Sequence, residues 1–490
     1  MHFVAALDDV KDMHGTLCLF EGVATGAADG FGRMADRPAA VLLHLGPGLA
    51  NGLANLHNAR RARTPIVTVI GDHASYHKRY DAPLESDIEA LAGTVSAWIR
   101  RPARPADIGA DAAEAVAAAS APPGQVATLI LPADVSWSDG AEPAPPARVR
   151  PPAAVPDHTI ESSAAVLRSG EPCVVLLGGA AMRRGGLEAA SRIATADNVR
   201  LLGETFPARL ERGAGLPPIE RLAYLAEFAA AQLEGAAHLI LAGTRAPVSF
   251  FAYPDKPSWL VPAGCQVHTL AEPGDDVTSA LAALADLVAP GAEPVRQQPE
   301  RPALPDGDLT AQSAASVIGA LLPDDAIVCD EANTSGLWLP AATAGAPPHD
   351  WLTLTGGAIG QGLPLATGAA IACPERPVMA LEADGSAMYT ISALWTHARE
   401  QLDITTVVFS NNRYAILDLE LGRVGATGSG QAARALFDLS NPMIDFTALA
   451  AGMGVPASRA TTAGELAERM KIALGEPGPH LIEAVLPPPW

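Results

Sequence analysis

The sequence predicts an α/β protein built from three doubly wound parallel-sheet domains, on three observations. Short apolar runs such as AAVLLH, CVVLL, AIVC, PVMALEA and TTVVFS have the length and β-branched content of strands buried on both faces. Stretches with apolar residues at helical spacing alternate with them throughout, the pattern of successive βαβ units. Two Pro-rich segments poor in large apolar residues, AEPAPPARVRPPAAVPD (141–157) and APGAEPVRQQPERPALPDGD (289–308), read as extended linkers. They divide the chain into about 1–140, 158–288 and 309–490. No short-period repeat is present.

Composition narrows the function. A chain of 490 residues is long enough for several buried cores. Its net charge of −21 argues against nucleic acid or an anionic membrane as partner. No apolar run approaches the roughly 20 residues needed to span a bilayer. The opening MHFVAALDDVKDM has neither a basic n-region nor an apolar h-region, so no signal peptide is expected and a cytoplasmic location is. Cys18, Cys173, Cys265, Cys329 and Cys373 are odd in number and form no CxxC, which reads as reduced core thiols.

In the first part, Glu21 opens a small-residue helix, where an acid complements the macrodipole. The strand AAVLLH then ends at His44, just before a Gly46-Pro47-Gly48 turn. In the middle part, EPCVVLLGGAAMRRGGLEAASRIA reads as strand, glycine turn and helix. GGAAMRRGG lacks the G-x-G-x-x-G order, so a structural role is expected for this domain. In the last part, the strand AIVCDE leads into a polar turn with Asn333 and Thr334, and Gly356-Gly357-Ala358-Ile359-Gly360 forms a second turn. PVMALEAD is a buried strand ending in Asp384. Gly385 allows a tight reversal, and SAMYTISALWTHAREQ continues as a helix. The next apolar run, TTVVFS, ends in Asn411 and Asn412. A carboxylate and an amide oxygen thus stand at the same end of neighbouring parallel strands, beside a helix N-terminus. Such a crevice suits a hard cation holding a phosphate group.

The 27-residue interval from Asp384 to Asn411 resembles the thiamine diphosphate (ThDP) signature GDG…NN, with the leading glycine replaced in Ala383-Asp384-Gly385-Ser386. Glu21, the run Ala28 to Arg33 (ADGFGR) and Gly46-Pro47-Gly48 resemble, in order and spacing, the pyrimidine-binding half of the acetolactate synthase and pyruvate/benzoylformate decarboxylase superfamily. The resemblance spans nearly the whole chain. It implies pyrimidine-binding, central and diphosphate-binding domains, the first without its initial strand, because relatives carry a further strand and glycine turn before the position of Met1.

It also implies ThDP and Mg²⁺ as cofactors and leaves FAD in the central domain open. The metal ligands would be Asp384, Asn411 and the carbonyl of Arg413; placing Tyr414-Ala415-Ile416-Leu417 on the family's downstream helix selects Asn411 over Asn412. Asn333, Thr334, Gly357, Ile359, Gly385, Ser386 and Tyr414 would contact the cofactor. Glu21 would hydrogen-bond its aminopyrimidine ring, and His44 matches the active-site His of benzoylformate decarboxylase-like members. Leu417 and Glu420 would shape the substrate pocket. The implied function is a lyase or carboligase acting on small 2-oxo acids, acetolactate synthase-like, in a homodimer or homotetramer. A 2-oxo acid decarboxylase releasing an aldehyde is the alternative, and a non-catalytic partner of a true synthase is the alternative of another class.

Overall fold

A computed structural model describes residues 1–426 and 430–487. Its framework is three sheets. The first, in the order Ala39–His44, Ile66–Asp72, Val126–Pro132, Trp98–Arg100, is parallel throughout. So is the second, in the order Val199–Gly203, Cys173–Leu177, His238–Ala242, Gln266–Ala271. The third has seven strands, in the order Ala457–Ala460, His480–Val485, Ile404–Ser410, Val378–Ala383, Ile327–Glu331, His349–Thr353 and Leu210–Arg212. Central strands such as Cys173–Leu177, His238–Ala242 and Ile404–Ser410 are buried along their whole length, so each reads as an unbroken apolar run rather than an alternation.

Leu210–Arg212 departs from the parallel pattern. It leaves the middle segment and pairs antiparallel with His349–Thr353, stitching the second sheet's chain to the edge of the third. Nothing in its three residues announces that partner.

The third sheet decides where a ligand can sit. From Ile327–Glu331 the chain crosses one way to His349–Thr353, then returns to the other side of the same strand as Val378–Ala383. Crossovers diverge there, opening a crevice beyond the carboxyl ends of Ile327–Glu331 and Val378–Ala383. Helix Gly362–Ala372 lies over this region, with every residue from Gly362 to Ala370 buried. Its main partner is helix Glu21–Ala35 of the first part. The two backbones touch through glycines. A Cβ on Gly30 would lie 2.0 Å from the Leu365 carbonyl oxygen, and one on Gly368 would lie 1.8 Å from that of Ala27.

Two local expectations are corrected. The helix expected from Ser386 to Gln401 is split into Asp384–Ala387 and Ala393–Arg399. Thr390 donates its hydroxyl to the Gly360 carbonyl at 3.0 Å, and Tyr389 packs on Gly360, so contacts to the neighbouring loop replace the helical ladder. The β-branched pair Thr390-Ile391 resists that change little. Likewise Gly46-Pro47-Gly48 is not a separate turn but part of the first turn of helix Leu45–Ala62. The reversal is made by Leu45 at φ 54°, and Pro47 falls where an amide would lack a helical acceptor. Among the described residues all five cysteines are free, and no helix is long and apolar enough to cross a membrane.

Candidate active site

Asp384 stands at the crevice, 2% exposed, directly after strand Val378–Ala383. Its Oδ1 accepts the Gly385 N–H at 2.8 Å and its Oδ2 accepts the Asn412 N–H at 2.6 Å. Burial pushes its carboxyl up to about 6, against the pull of these amides. Asn411, also buried, directly follows the parallel neighbour Ile404–Ser410. Its Oδ1 accepts from Arg413 N–H at 2.9 Å and its Nδ2 donates to Ser335 Oγ at 3.4 Å. Gly385 is obligatory for a packing reason: a Cβ there would lie 2.3 Å from the Tyr414 ring. A buried carboxylate short of positive charge, an amide oxygen on the adjacent strand and a main-chain carbonyl two residues on fit a hard divalent cation. Among the described residues no group of three or more His, Cys, Asp or Glu offers another metal site.

Asn333, at φ 50°, donates from Nδ2 to Ser386 Oγ at 2.9 Å, joining the turn after strand Ile327–Glu331 to the turn after Val378–Ala383. Asn333, Thr334, Gly357, Ile359, Tyr414, Leu417 and Glu420 line one cavity of about 910 Å³. Gly357 adopts φ 73°, and a Cβ there would lie 2.7 Å from the Phe250 ring.

Two acids were not legible as site residues. Glu331 ends its strand and Glu382 stands one residue before the end of the adjacent one, as direct register partners, both buried. The Glu331 carboxylate accepts the N–H groups of Gly360 at 2.7 Å and Gly362 at 2.5 Å, which fixes the loop presenting Ile359. Both carboxyl oxygens of Glu382 lack a partner. Burial raises Glu331 to about 7, and burial with its neighbour's charge raises Glu382 well above the usual carboxylate range. The only sequence signal was an acid inside an otherwise apolar strand.

Glu21 and His44 lie together elsewhere. Glu21 is the first residue of helix Glu21–Ala35, and its Oε2 accepts from Asn51 Nδ2 at 3.1 Å. A Cβ on Gly48 would lie 3.3 Å from Glu21 Oε1 and 3.5 Å from His44 Cβ, so this glycine keeps the space between them clear. Neither residue lines the cavity around Asn333 and Ile359. The two parts are nevertheless locked together: Asn55 donates to the Gly360 carbonyl at 3.1 Å and Asn58 to that of Ala358 at 2.8 Å. The ADGFGR run serves the same junction. Asp29 takes Arg33 on both oxygens, together with Thr64 and Gln361, while Arg33 donates to the Thr353 carbonyl.

Residues 1–91 match the family described as thiamine pyrophosphate enzyme, N-terminal TPP binding domain, and residues 333–484 match its C-terminal TPP binding domain. A Mycobacterium tuberculosis protein with the provisional name acetolactate synthase large subunit IlvX is 64% identical over 99% of this chain and 94% of its own length. The chain belongs to the thiamine pyrophosphate enzymes. Benzoylformate decarboxylase of Pseudomonas aeruginosa is 31% identical over 97% of this chain and 92% of its own. The fold matches that of a Rhodococcus jostii ThDP-dependent 4-hydroxybenzoylformate decarboxylase at TM-score 0.82 and 24% identity, covering 96% and 92% of the two chains. This thiamine pyrophosphate enzyme therefore falls in the group that holds acetolactate synthases and benzoylformate decarboxylases. Its middle glycine turn has an internal occupant. The half-buried Glu204 carboxylate accepts the Gly179 N–H at 3.0 Å and the Thr244 hydroxyl at 3.2 Å, so the amide of that turn already has an acceptor.

Proposed function

We propose that this enzyme is a Mg²⁺- and ThDP-dependent lyase or carboligase acting on small 2-oxo acids. The supporting observation is the pairing of buried Asp384 with Asn411 at the carboxyl ends of adjacent parallel strands, beside the switch point. Asp384, Asn411 and the Arg413 carbonyl would hold the cation. Asn333, Thr334, Gly385 and Ser386 would hold the diphosphate, and Gly357, Ile359 and Tyr414 would flank the rings. When bound, ThDP supplies the electron sink for loss of carbon dioxide from a 2-oxo acid. Glu21 would hydrogen-bond the aminopyrimidine. Glu21 and His44, like Asp384 and Asn411, are not on the lining of the cavity around Asn333 and Ile359; a site completed between two chains, in a homodimer or homotetramer, is what the family resemblance implies.

Two fates after decarboxylation divide the possibilities. Ligation to an acceptor carbonyl, acetolactate synthase-like, is favoured by the 64% identity to the M. tuberculosis protein. Release of an aldehyde is favoured by His44, exposed beside Glu21 and able to move a proton there. Incubation with ThDP, Mg²⁺ and a panel including pyruvate and benzoylformate, followed by assay of carbon dioxide, ketols and aldehydes, tests both. A ketol supports the first fate and an aldehyde the second. Absence of ThDP-dependent carbon dioxide from every 2-oxo acid would sink both and leave the non-catalytic partner.

A further inference from the structure

The cavity lined by Asn333 and Ile359 is lined also by a pair of arginines that the chemistry above does not use. Arg212 ends the antiparallel strand Leu210–Arg212 on the third sheet, with its guanidinium 5.1 Å over the Trp351 ring and one bond to the Pro340 carbonyl. Arg221 is bridged to Gly203 at the end of a second-sheet strand, and its contact to the Thr205 carbonyl is long, at 3.5 Å. Both line the cavity. Elsewhere the chain pairs such groups: Arg33 with Asp29, Arg209 and Arg376 with Asp350, Arg423 with Glu227. Among the described residues Arg212 and Arg221 have no carboxylate within the 4.0 Å of an ion pair. Asp330, the nearest acid by its influence on Arg221, is committed to Trp351 Nε1 and the Ala332 N–H. Glu220, also on the lining, is held by Gln232. Burial and the charge of Arg221 together lower Arg212 to about 9.

The same cavity has an aromatic lining. Phe206, Tyr224 and Phe250 all line the cavity, with ring centroids 5.1 to 6.1 Å apart in tilted and edge-on contacts. Two half-buried guanidiniums without a carboxylate partner favour an anion between them, and a fork-shaped donor matches a carboxylate or phosphate. We propose that Arg212 and Arg221 form an oxyanion subsite, and that the cavity takes an aryl carboxylate or aryl phosphate with its ring against Phe206, Tyr224 and Phe250. Neither arginine is among the residues assigned above to the cation or the cofactor, although both share the cavity with Asn333 and Tyr414, and the subsite does not depend on which 2-oxo acid is processed.

The test is calorimetric binding of phenyl phosphate, benzoate, inorganic phosphate and neutral benzyl alcohol to the full chain, with and without saturating ThDP and Mg²⁺. Phenyl phosphate or benzoate is expected to bind saturably and better than inorganic phosphate or benzyl alcohol. Arg221→Gln should weaken that binding about tenfold or more, and Arg221→Lys should restore part of it. Arg212→Gln should act in the same direction, with circular dichroism and thermal melting controlling for its contact with Trp351. Competition between the bound probe and benzoylformate in turnover would assign the anion to substrate, and non-competitive behaviour to a separate ligand. Equal binding of charged and neutral probes, unchanged affinity in Arg221→Gln, absence of saturable binding, or displacement by ThDP would overturn the proposal.

Discussion

Glu331 and Glu382 face each other as register partners on adjacent parallel strands, yet only Glu331 has hydrogen-bond donors. Two carboxyl groups so placed cannot both ionise, so Glu331 carries the charge against the Gly360 and Gly362 amides while Glu382 stays protonated. Their substitutions should therefore differ in sign. Glu331→Ala strands two buried N–H groups and should lower stability by about 1–3 kcal/mol or more. Glu382→Met removes an unpartnered acid and should be neutral or stabilising. Urea denaturation of both variants checks this, and equal destabilisation would refute the assignment.

If Asp384 holds a cation as proposed, its titration sets a pH window for that binding. Its folded value of about 6 exceeds the ordinary 3.8, so its contribution to stability is fully present below about pH 3.8 and lost as pH rises through 6. Above pH 6 the buried charge is a liability of about 3 kcal/mol, which a cation offsets. Added Mg²⁺ and ThDP should thus raise the melting temperature strongly at pH 7.5 and weakly at pH 5. Asp384→Ala should show no such gain at either pH.

His397 acts in the opposite sense. It is fully buried, with Nε2 at 2.8 Å from the Thr367 hydroxyl and Nδ1 unpartnered, and burial lowers it to about 4. Its contribution is present above about pH 6.5 and lost as pH falls toward 4, because the unfolded chain takes up the proton first. Without cofactor, the fall in stability from pH 6.5 to 4 should be shallower in His397→Leu than in the parent. Parallel pH–stability curves would exclude this histidine as the cause.

On its proposed role, Glu21→Gln should leave ThDP binding nearly intact but slow deuterium exchange at its thiazolium C2 by orders of magnitude, since only a hydrogen bond to the aminopyrimidine would change. Exchange at the parental rate would assign activation of the cofactor to another residue.

If the site is completed between chains, mixing inactive Glu21→Gln with inactive Asp384→Ala should restore activity through sites whose two halves are both intact. Exchanged mixtures that stay inactive, or an active species that sediments as a monomer, would rule this out.

The strand-end positions of Asp384, Gly385 and the Asn411-Asn412 pair were legible in the sequence because their placement follows from local rules, whereas the choice of Asn411 over Asn412 came from the family resemblance. An apolar run makes a strand, a glycine after an acid permits the turn, and the next apolar run returns beside the first. Glu21 was legible for the same reason, as the acid opening a helix. Ile359 and the turn at Asn333 needed the family resemblance, since a glycine-flanked Ile alone is ordinary core. Tertiary structure alone decided which distant groups meet. Glu331 and Glu382 are partners because a crossover sets their strands side by side in register, and Arg212 reaches the cavity that Arg221 also lines on a three-residue strand from the middle segment that adds to the edge of the third sheet. The break at Tyr389 and the Glu204 carboxylate on Gly179 arise likewise, from a neighbouring loop and a neighbouring strand. Periodicity reports which face of an element is buried; it carries no information about which other element comes to lie against that face.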